Sequence, residues 1–377
     1  MSSSTRAPAA VSTARFPREG SGSVQYSVPQ AHDGAHMMEP MGKVQRISAL
    51  DFTKGALVLF MVLYHFLNYF VSPRGDFYRY LRFVTPSFIF IAGFLISNVY
   101  LARYQVSDSR VPLRLVQRGV KILCIFVCLN VIISLLIQRS YNGAILFGRS
   151  LQNLEAIFAT GNVEVAGVGK ACAFYILVPI SYLLLTSAGL LIVYRFYKYA
   201  FHIACAASLI CVLLLDLMGS QSANLELVAI GLLGVIAGCL KIERINGLVE
   251  HPYALAGAYL CYALATTIWD AVYPLQIVGV CLTLMIIYLL GLRTDGSGGK
   301  WRATVVLLGR YSLYGYIAQI VVLQLLHRGV QHVDLGAAAS GVALLAALVL
   351  TVASVELMER ARARSPTVDA VYKGVFS

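Results

Sequence analysis

A succession of long apolar runs is the feature of this sequence that most constrains its fold. The runs begin near Leu50, Phe83, Val120, Ala171, Ala200, Leu225, Tyr253, Tyr273, Ala303 and Leu335. Hydrophobic residues make up 58% of the 377 residues and charged residues only 13%, whereas soluble domains carry roughly 25% charged residues. Since a helix of about 20 apolar residues crosses a bilayer, the pattern predicts an all-α, polytopic integral membrane protein with about ten transmembrane helices.

The same composition excludes several other classes. A transmembrane β-barrel would need short segments of alternating polarity, and these runs are long and continuous. The formal net charge of +12 does not predict nucleic-acid binding, because Lys and Arg lie in the joints between runs, where topology and anionic lipid headgroups explain them. The eight cysteines form no CxxC pair and accompany no histidine cluster, so no metal site is predicted.

The distribution of basic residues predicts the orientation of the chain. The joints after the second, fourth and eighth runs are rich in Lys and Arg, and the positive-inside rule assigns such joints to the cytoplasm, together with both termini. Residues 1–45, rich in Ser, Ala, Pro and Gly, are predicted to be a disordered cytoplasmic tail. Residues 46–358 form the helical domain and residues 359–377 a short basic cytoplasmic tail. The long joint 139–170 is predicted outside, as a cap of the outer mouth or a simple connector.

One joint breaks this charge pattern. Arg74, Arg79 and Arg82 follow the first run, on the side predicted to be outside. Either the stronger flanking signals overrule this joint, since the positive-inside rule is a statistical bias, or the basic turn handles an anionic or sugar substrate.

The first run carries polar residues on one helical stripe. With α-helical spacing, that stripe consists of Lys54, Val58, Met61, His65 and Asn68. Ionisable groups inside lipid-length helices usually face the protein interior and are candidate functional residues. Lys54 would lie near the cytoplasmic edge, and His65, eleven residues later, about 16 Å further along the axis. Asp51 is too far from His65 to orient it and is placed to pair with Lys54, three residues on.

A cation at the inner mouth and an imidazole deep in the helix suit a ligand with a phosphate-bearing head and a long arm, such as a coenzyme A thioester. A histidine can act as the general base toward a hydroxyl or amine, or as a transient acyl acceptor. Two alternatives stay open for His65. It could be a structural histidine satisfied by a neighbouring helix, or the proton relay of a transporter or exporter.

Further polar residues accompany later runs. Arg114 and Arg118, four residues apart, and Lys121 precede the third run and could form a phosphate cradle or a positive-inside anchor. Arg310, near the start of the ninth run, could snorkel or bind phosphate. Ser312, Tyr314, Tyr316 and Gln319 add polar groups to that run. In the second run, Pro86 suits the first helical turn, and Gly93 is expected to permit close packing against the first run.

Three segments resemble the transmembrane acyltransferase superfamily, which includes acyltransferase-3 proteins, bacterial glucan succinyltransferases and heparan-glucosaminide N-acetyltransferase-like proteins. RISALDFTKGALVLFMVLYHF is similar to their first helix: a basic residue, Leu-Asp, a basic residue followed by Gly, then a histidine. TPSFIFIAGFLIS resembles the second helix, and LGRYSLYGYIAQ resembles a late motif. Two positions depart from the pattern. Lys54 stands in place of an arginine, and Gln319 in place of the histidine that commonly ends the late motif.

The resemblance implies a ten-helix acyltransferase of the bacterial inner (cytoplasmic) membrane. It would move an acetyl- or succinyl-type group from cytoplasmic acyl-CoA, its co-substrate, to a hydroxyl or amine of a glycan or lipid-linked sugar, without a permanently bound cofactor. His65 is the expected catalytic residue. The expected CoA-binding residues are Lys54, Arg114, Arg118, Lys121 and Arg310. The expected acceptor-binding residues are Asn68, Arg74, Arg79, Arg82 and Tyr314. No oligomeric state follows from the sequence.

Overall fold

In the described part of the chain, helices are the only regular elements. The computed structural model describes residues 47–71, 78–101, 110–136, 153–163, 174–240, 242–269, 272–296, 298–330 and 337–376. Their α-helices are α1 (Ser48–Phe66), α2 (Tyr78–Leu81), α3 (Val84–Leu95), α4 (Arg110–Leu136), α5 (Leu177–Tyr194), α6 (Ala200–Leu217), α7 (Ala223–Gly238), α8 (Ile242–Val249), α9 (Pro252–Trp269), α10 (Tyr273–Arg293), α11 (Lys300–Arg310), α12 (Ser312–Val330), α13 (Ala337–Arg364) and α14 (Pro366–Phe376). π-Helical turns occupy Leu67–Val71, Ile96–Leu101 and Glu155–Thr160. The predicted all-α class is confirmed for these residues. The predicted tail 1–45 lies outside them.

Seven of the described helices are long and apolar enough to cross a membrane, and nine spans result if each of two bent helix pairs counts as one. An all-helical span is expected, because every backbone polar group must find an internal partner within the hydrocarbon. The predicted seventh run is the helix Pro252–Trp269, which is not among these candidates. Its three tyrosines and two threonines make it less apolar than its neighbours.

The packed helices define two ends of the bundle. At the first, called the proximal end, the backbone carbonyl of Asp51 lies against Gly309, and Tyr311 donates a hydrogen bond to Glu359. The start of α1 and the last turns of α13 therefore lie at the same end. The opposite end, called distal, is marked by Tyr69 in the π-helical turn that continues α1.

Paired glycines bring α1 and α11 into backbone contact. A Cβ atom built on Gly55 would lie 1.8 Å from the carbonyl oxygen of Val305, and one on Gly309 would lie 1.7 Å from that of Asp51. No side chain fits at either position, so the two helices cross at the distance of their backbones, as small residues permit in membrane proteins. This crossing anchors α1, which also packs against α3, α10, α12 and α13.

The helix α3 makes a second glycine contact, with α7. A Cβ atom on Gly93 would lie 1.9 Å from the carbonyl oxygen of Gly231, and one on Gly234 would lie 2.1 Å from that of Phe90. The prediction that Gly93 permits close packing is confirmed, but the predicted partner, the first run, is wrong. Small residues on both helices allow this approach.

The predicted ninth run is bent rather than straight. The axes of α11 and α12 differ by 95° at the break between Arg310 and Ser312. Hydropathy alone could not predict the bend, because both halves are apolar enough to pass as one span.

The predicted basic tail 359–377 is helical. The helix α13 continues to Arg364, and α14 follows, with Ser365 capping its first turn and Pro366 at its first position. Arg362 donates to Tyr311 (2.6 Å) and lies 4.1 Å from the ring centroid of Tyr372. Burial is the main cause that raises the pKa of Tyr372 to about 12, so this ring packs as a neutral phenol. The helix α14, through Tyr372, and Arg362 of α13 thereby pack against Tyr311 at the bend between α11 and α12.

Within the long predicted outer joint, the π-helical turn Glu155–Thr160 is tied to α5 and α7. The hydroxyl of Tyr182 donates to the carbonyl of Phe158 (2.6 Å), and Asn224 Nδ2 donates to that of Ile157 (3.1 Å). The irregular turn thus finds partners for its backbone carbonyls, as buried polar groups require. This part of the joint therefore packs against α5 and α7, as either alternative for the joint allows.

Candidate functional site

His65 and Lys54 are partly accessible residues of a stripe whose middle is buried, whereas the fully buried face of α1 carries Gly55, Val62 and Phe66. Met61, one turn before His65, is 1% exposed, and Val58, two turns before His65, is 0% exposed. Burial along the predicted stripe is therefore seen at Val58 and Met61, while Lys54 and His65 keep part of their surface accessible. From Leu67 onward the helix is π-helical, so α-helical spacing no longer places Asn68 on that stripe.

The imidazole of His65 faces aromatic rings. Its centroid lies 6.4 Å from that of Tyr316 on α12 and 5.2 Å from that of the neighbouring Tyr64. Tyr316 is buried and lies edge-on to Phe174, next to the start of α5, at 6.1 Å. His65 itself keeps some accessible surface, and no described residue hydrogen-bonds to its ring. The imidazole therefore lies beside Tyr316 of α12 with its ring nitrogens unused by the described residues.

Gln319 is the second polar group of this region. It follows Tyr316 by three residues on α12, so the two side chains share a helix face. Gln319 is 0% exposed, and neither its Oε1 nor its Nε2 has a hydrogen-bond partner among the described residues. Leaving a buried polar group unpaired costs about 1–3 kcal/mol. The Gln319 amide therefore has hydrogen-bonding capacity that no described residue uses.

The proximal end carries two of the predicted CoA-binding residues. Lys54 Nζ lies 2.6 Å from the Asp51 carboxylate, which confirms the predicted pair, and both side chains are largely shielded. Arg310 is exposed at the bend after α11. Because Gly309 lies against the Asp51 carbonyl, Arg310 and Lys54 belong to the same end of the bundle.

The predicted phosphate cradle of Arg114, Arg118 and Lys121 lies on α4, whereas Lys54 and Arg310 lie on α1 and α11. Arg114 and Arg118 are exposed on α4, and Lys121 is partly buried. The helix α4 packs chiefly against α5, where Ser181 donates to the carbonyl of Gly119 (2.8 Å). These three cations therefore accompany α5 rather than the Lys54 end of α1, and the structure does not gather all five predicted residues around one point.

The basic residues predicted on the acceptor side lie toward the distal end. Arg79 donates to the carbonyl of Thr267 on α9 (3.5 Å). Arg82 is exposed, and its backbone carbonyl accepts from Gln276 of α10 (3.2 Å). Both arginines hold the α2–α3 corner against α9 and α10. Arg74 lies outside the described residues.

Tyr314 lies apart from the other predicted acceptor-binding residues. Its ring is 5.9 Å from that of Phe376 and 6.5 Å from that of Tyr372. It therefore packs beneath α14 at the proximal end, while Arg79 and Arg82 lie toward the distal end. The sequence could not show this, because its charge predicts only a short basic tail over residues 359–377 and not a helix packed on Tyr314.

The structure relates Tyr316 and Gln319 to His65 more closely than their sequence pattern could predict. Tyr316 and Gln319 were visible as polar residues in an apolar run, but nothing in the sequence shows that Tyr316 faces His65 or that the Gln319 amide is unpaired. Arg302, one of the basic residues after the eighth run, donates to Ser48 (2.7 Å) and pairs with Asp295. These contacts tie α11 to the start of α1.

Among the described residues, no group of three or more His, Cys, Asp or Glu could hold a metal ion.

Comparison with known proteins found no relative of this chain. No family model, curated protein or solved structure matches the chain. The case for a function therefore rests on the residues around His65.

Proposed function

We propose that the protein is a membrane acyltransferase that moves an acetyl- or succinyl-type group from cytoplasmic acyl-CoA to a hydroxyl or amine of a glycan or lipid-linked sugar. The observation that carries the proposal is the imidazole of His65. It lies one helical turn beyond the buried Met61 and beside the buried Tyr316, keeps accessible surface and has no hydrogen-bond partner among the described residues. The resemblance of the first run to the transmembrane acyltransferase superfamily supports the same function.

The chemistry requires a base close to both substrates. The neutral imidazole accepts the proton of the acceptor hydroxyl or amine while the oxygen or nitrogen attacks the thioester carbonyl. The carbon–sulfur bond then breaks, and the imidazolium returns its proton to the CoA thiolate. The products are an ester or amide and free CoA thiol. General base catalysis of this kind contributes about 10²–10⁴-fold to the rate.

The two ends of the bundle would serve the two substrates. In the proposed orientation the proximal end faces the cytoplasm, with both termini, and Lys54 and Arg310 receive the phosphates of CoA. The ion pair between Lys54 and Asp51 must then open or share its cation with the phosphate. The acceptor reaches His65 from the distal end, past Arg79 and Arg82. In this arrangement Arg114, Arg118 and Lys121 contact anionic lipid headgroups or a part of CoA outside the bundle.

The experiment is thiol release in proteoliposomes. The purified protein is given acetyl-CoA or succinyl-CoA together with glycolipids extracted from bacterial inner membrane, and CoA thiol and acylated lipid are measured. His65→Ala is expected to lower turnover by about 10²–10⁴-fold, whereas the matched control His202→Ala, an exposed histidine on α6, is expected to leave it unchanged. Proton-coupled flux without CoA dependence would identify a transporter instead, and equal turnover of His65→Ala and wild type would refute the catalytic role.

A further inference from the structure

The Gln319 amide stands apart from the other buried polar groups. Among the described residues, several buried side chains have one atom without a hydrogen-bond partner, but Gln319 has two, its acceptor Oε1 and its donor Nε2. A glutamine amide offers two N–H donors and two acceptor lone pairs. All of this capacity is withdrawn from solvent, because the residue is 0% exposed.

The position of Gln319 relates it to His65. The helix α12 lies along α1, with Gly315 against Val58 and Tyr316 facing the imidazole. Gln319 is three and four residues beyond these contacts, so it continues the same face of α12. Its amide therefore belongs to the α1–α12 seam in which the proposed chemistry takes place.

A second buried glutamine on α12 shows that a partner is available to such residues. Gln324 is 5% exposed, and its Nε2 donates to the hydroxyl of Tyr69 (3.3 Å). The Oε1 of Gln324 has no partner among the described residues, so one atom of that amide is paired, whereas neither amide atom of Gln319 is. The difference points to a ligand at Gln319 rather than to a general shortage of partners in this helix.

We propose that Nε2 of Gln319 donates a hydrogen bond to the acyl carbonyl oxygen of the bound thioester. This inference rests on the proposed function and names the group that binds the reacting carbonyl. Negative charge develops on that oxygen when the acceptor attacks, and a fixed donor in a water-poor site stabilises it. A neutral amide suits a fully buried position, since a cation there would lose its hydration without compensation. The second amide atom, Oε1, accepts from the attacking hydroxyl or amine before His65 removes its proton.

The test combines kinetics with carbonyl spectroscopy. In the full-length protein in proteoliposomes, Gln319→Leu is expected to lower kcat for acetyl-CoA by about 10²–10³-fold, as removal of an oxyanion donor does, with little change in KM. The infrared carbonyl band of ¹³C-labelled acetyl-CoA, bound to a His65→Ala background that does not turn over, is expected to shift to lower frequency with Gln319 and to lose that shift with Gln319→Leu. Gln324→Leu is the matched control and is expected to change neither kcat nor the band.

The Gln319 variants distinguish failure of this inference from failure of the proposed function. The leucine variant removes unpaired polar atoms, so it is expected to melt at or above the wild-type temperature. If it misfolds, Gln319→Met takes its place. An active wild type with fully active leucine and methionine variants would overturn this inference while leaving the acyltransferase proposal intact. A lower kcat with an unchanged carbonyl band would also overturn it, because Gln319 would then position His65. A wild type that releases no CoA thiol would refute the proposed function itself, and the role of Gln319 with it.

Discussion

Replacing Gly309 by alanine tests whether the backbone contact between α1 and α11 determines the position of the candidate site. The added Cβ would lie 1.7 Å from the carbonyl oxygen of Asp51, half of the 3.4 Å at which ordinary van der Waals contact begins. The obstacle is backbone, which cannot rotate away as a side chain would. Relief therefore requires α1 and α11 to separate locally by more than an ångström.

The expected consequences concern both stability and activity. Overpacking of a close interface costs about 1–3 kcal/mol in the free energy of unfolding. The separation also shifts α1 at the turn that carries Lys54 and, further along the same helix, His65. A misplacement of about 1 Å can cost about 10²-fold in rate. Gly309→Ala is therefore expected to melt at lower temperature and to lose most of the proposed turnover.

The assay is thermal unfolding in detergent, followed by tryptophan fluorescence and by size-exclusion chromatography, together with CoA thiol release. Gly189→Ala is the matched control, because Gly189 lies within α5 and a Cβ there would meet nothing within 4 Å. It is expected to raise stability slightly, by up to about 1 kcal/mol, since glycine is a poor helix former. The reasoning fails if the two alanine variants behave alike.

Two further predictions concern other contacts. Asn224→Leu removes the donor to the π-helical turn Glu155–Thr160 and leaves buried carbonyls unpaired, so it is expected to cost about 1–3 kcal/mol and to speed amide exchange in that turn. Unchanged exchange there would mean that Asn224 does not fix it. Hydrogen bonds from Lys373 and Arg362 lower the pKa of Asp369, so its contribution to stability is present above its unfolded pKa and is lost as pH falls through the lowered value. Acidification is expected to release α14 to protease in the wild type. Asp369→Asn is expected to release it already at neutral pH, and equal protection of both proteins at neutral pH would contradict this.

Local features of the sequence predicted one contact of the candidate site. The i, i+3 spacing of Asp51 and Lys54 predicted their ion pair, which the structure confirms. Helical periodicity predicted the inward stripe of α1, because burial along one helix repeats with the turn. Only Val58 and Met61 of that stripe are fully buried, and a π-helical turn changes the helical period before Asn68.

The amino-acid sequence alone is sufficient to predict an all-helical protein with several helices long enough to cross a membrane, because apolar length is a local property. Tertiary structure decided the rest: that Gly93 packs against Gly231, that α11 and α12 bend by 95°, and that α14 covers Tyr314. These outcomes depend on shape complementarity between segments far apart in the chain, which hydropathy does not encode. The same reason explains why the unpaired amide of Gln319 became visible only once its neighbours were in place.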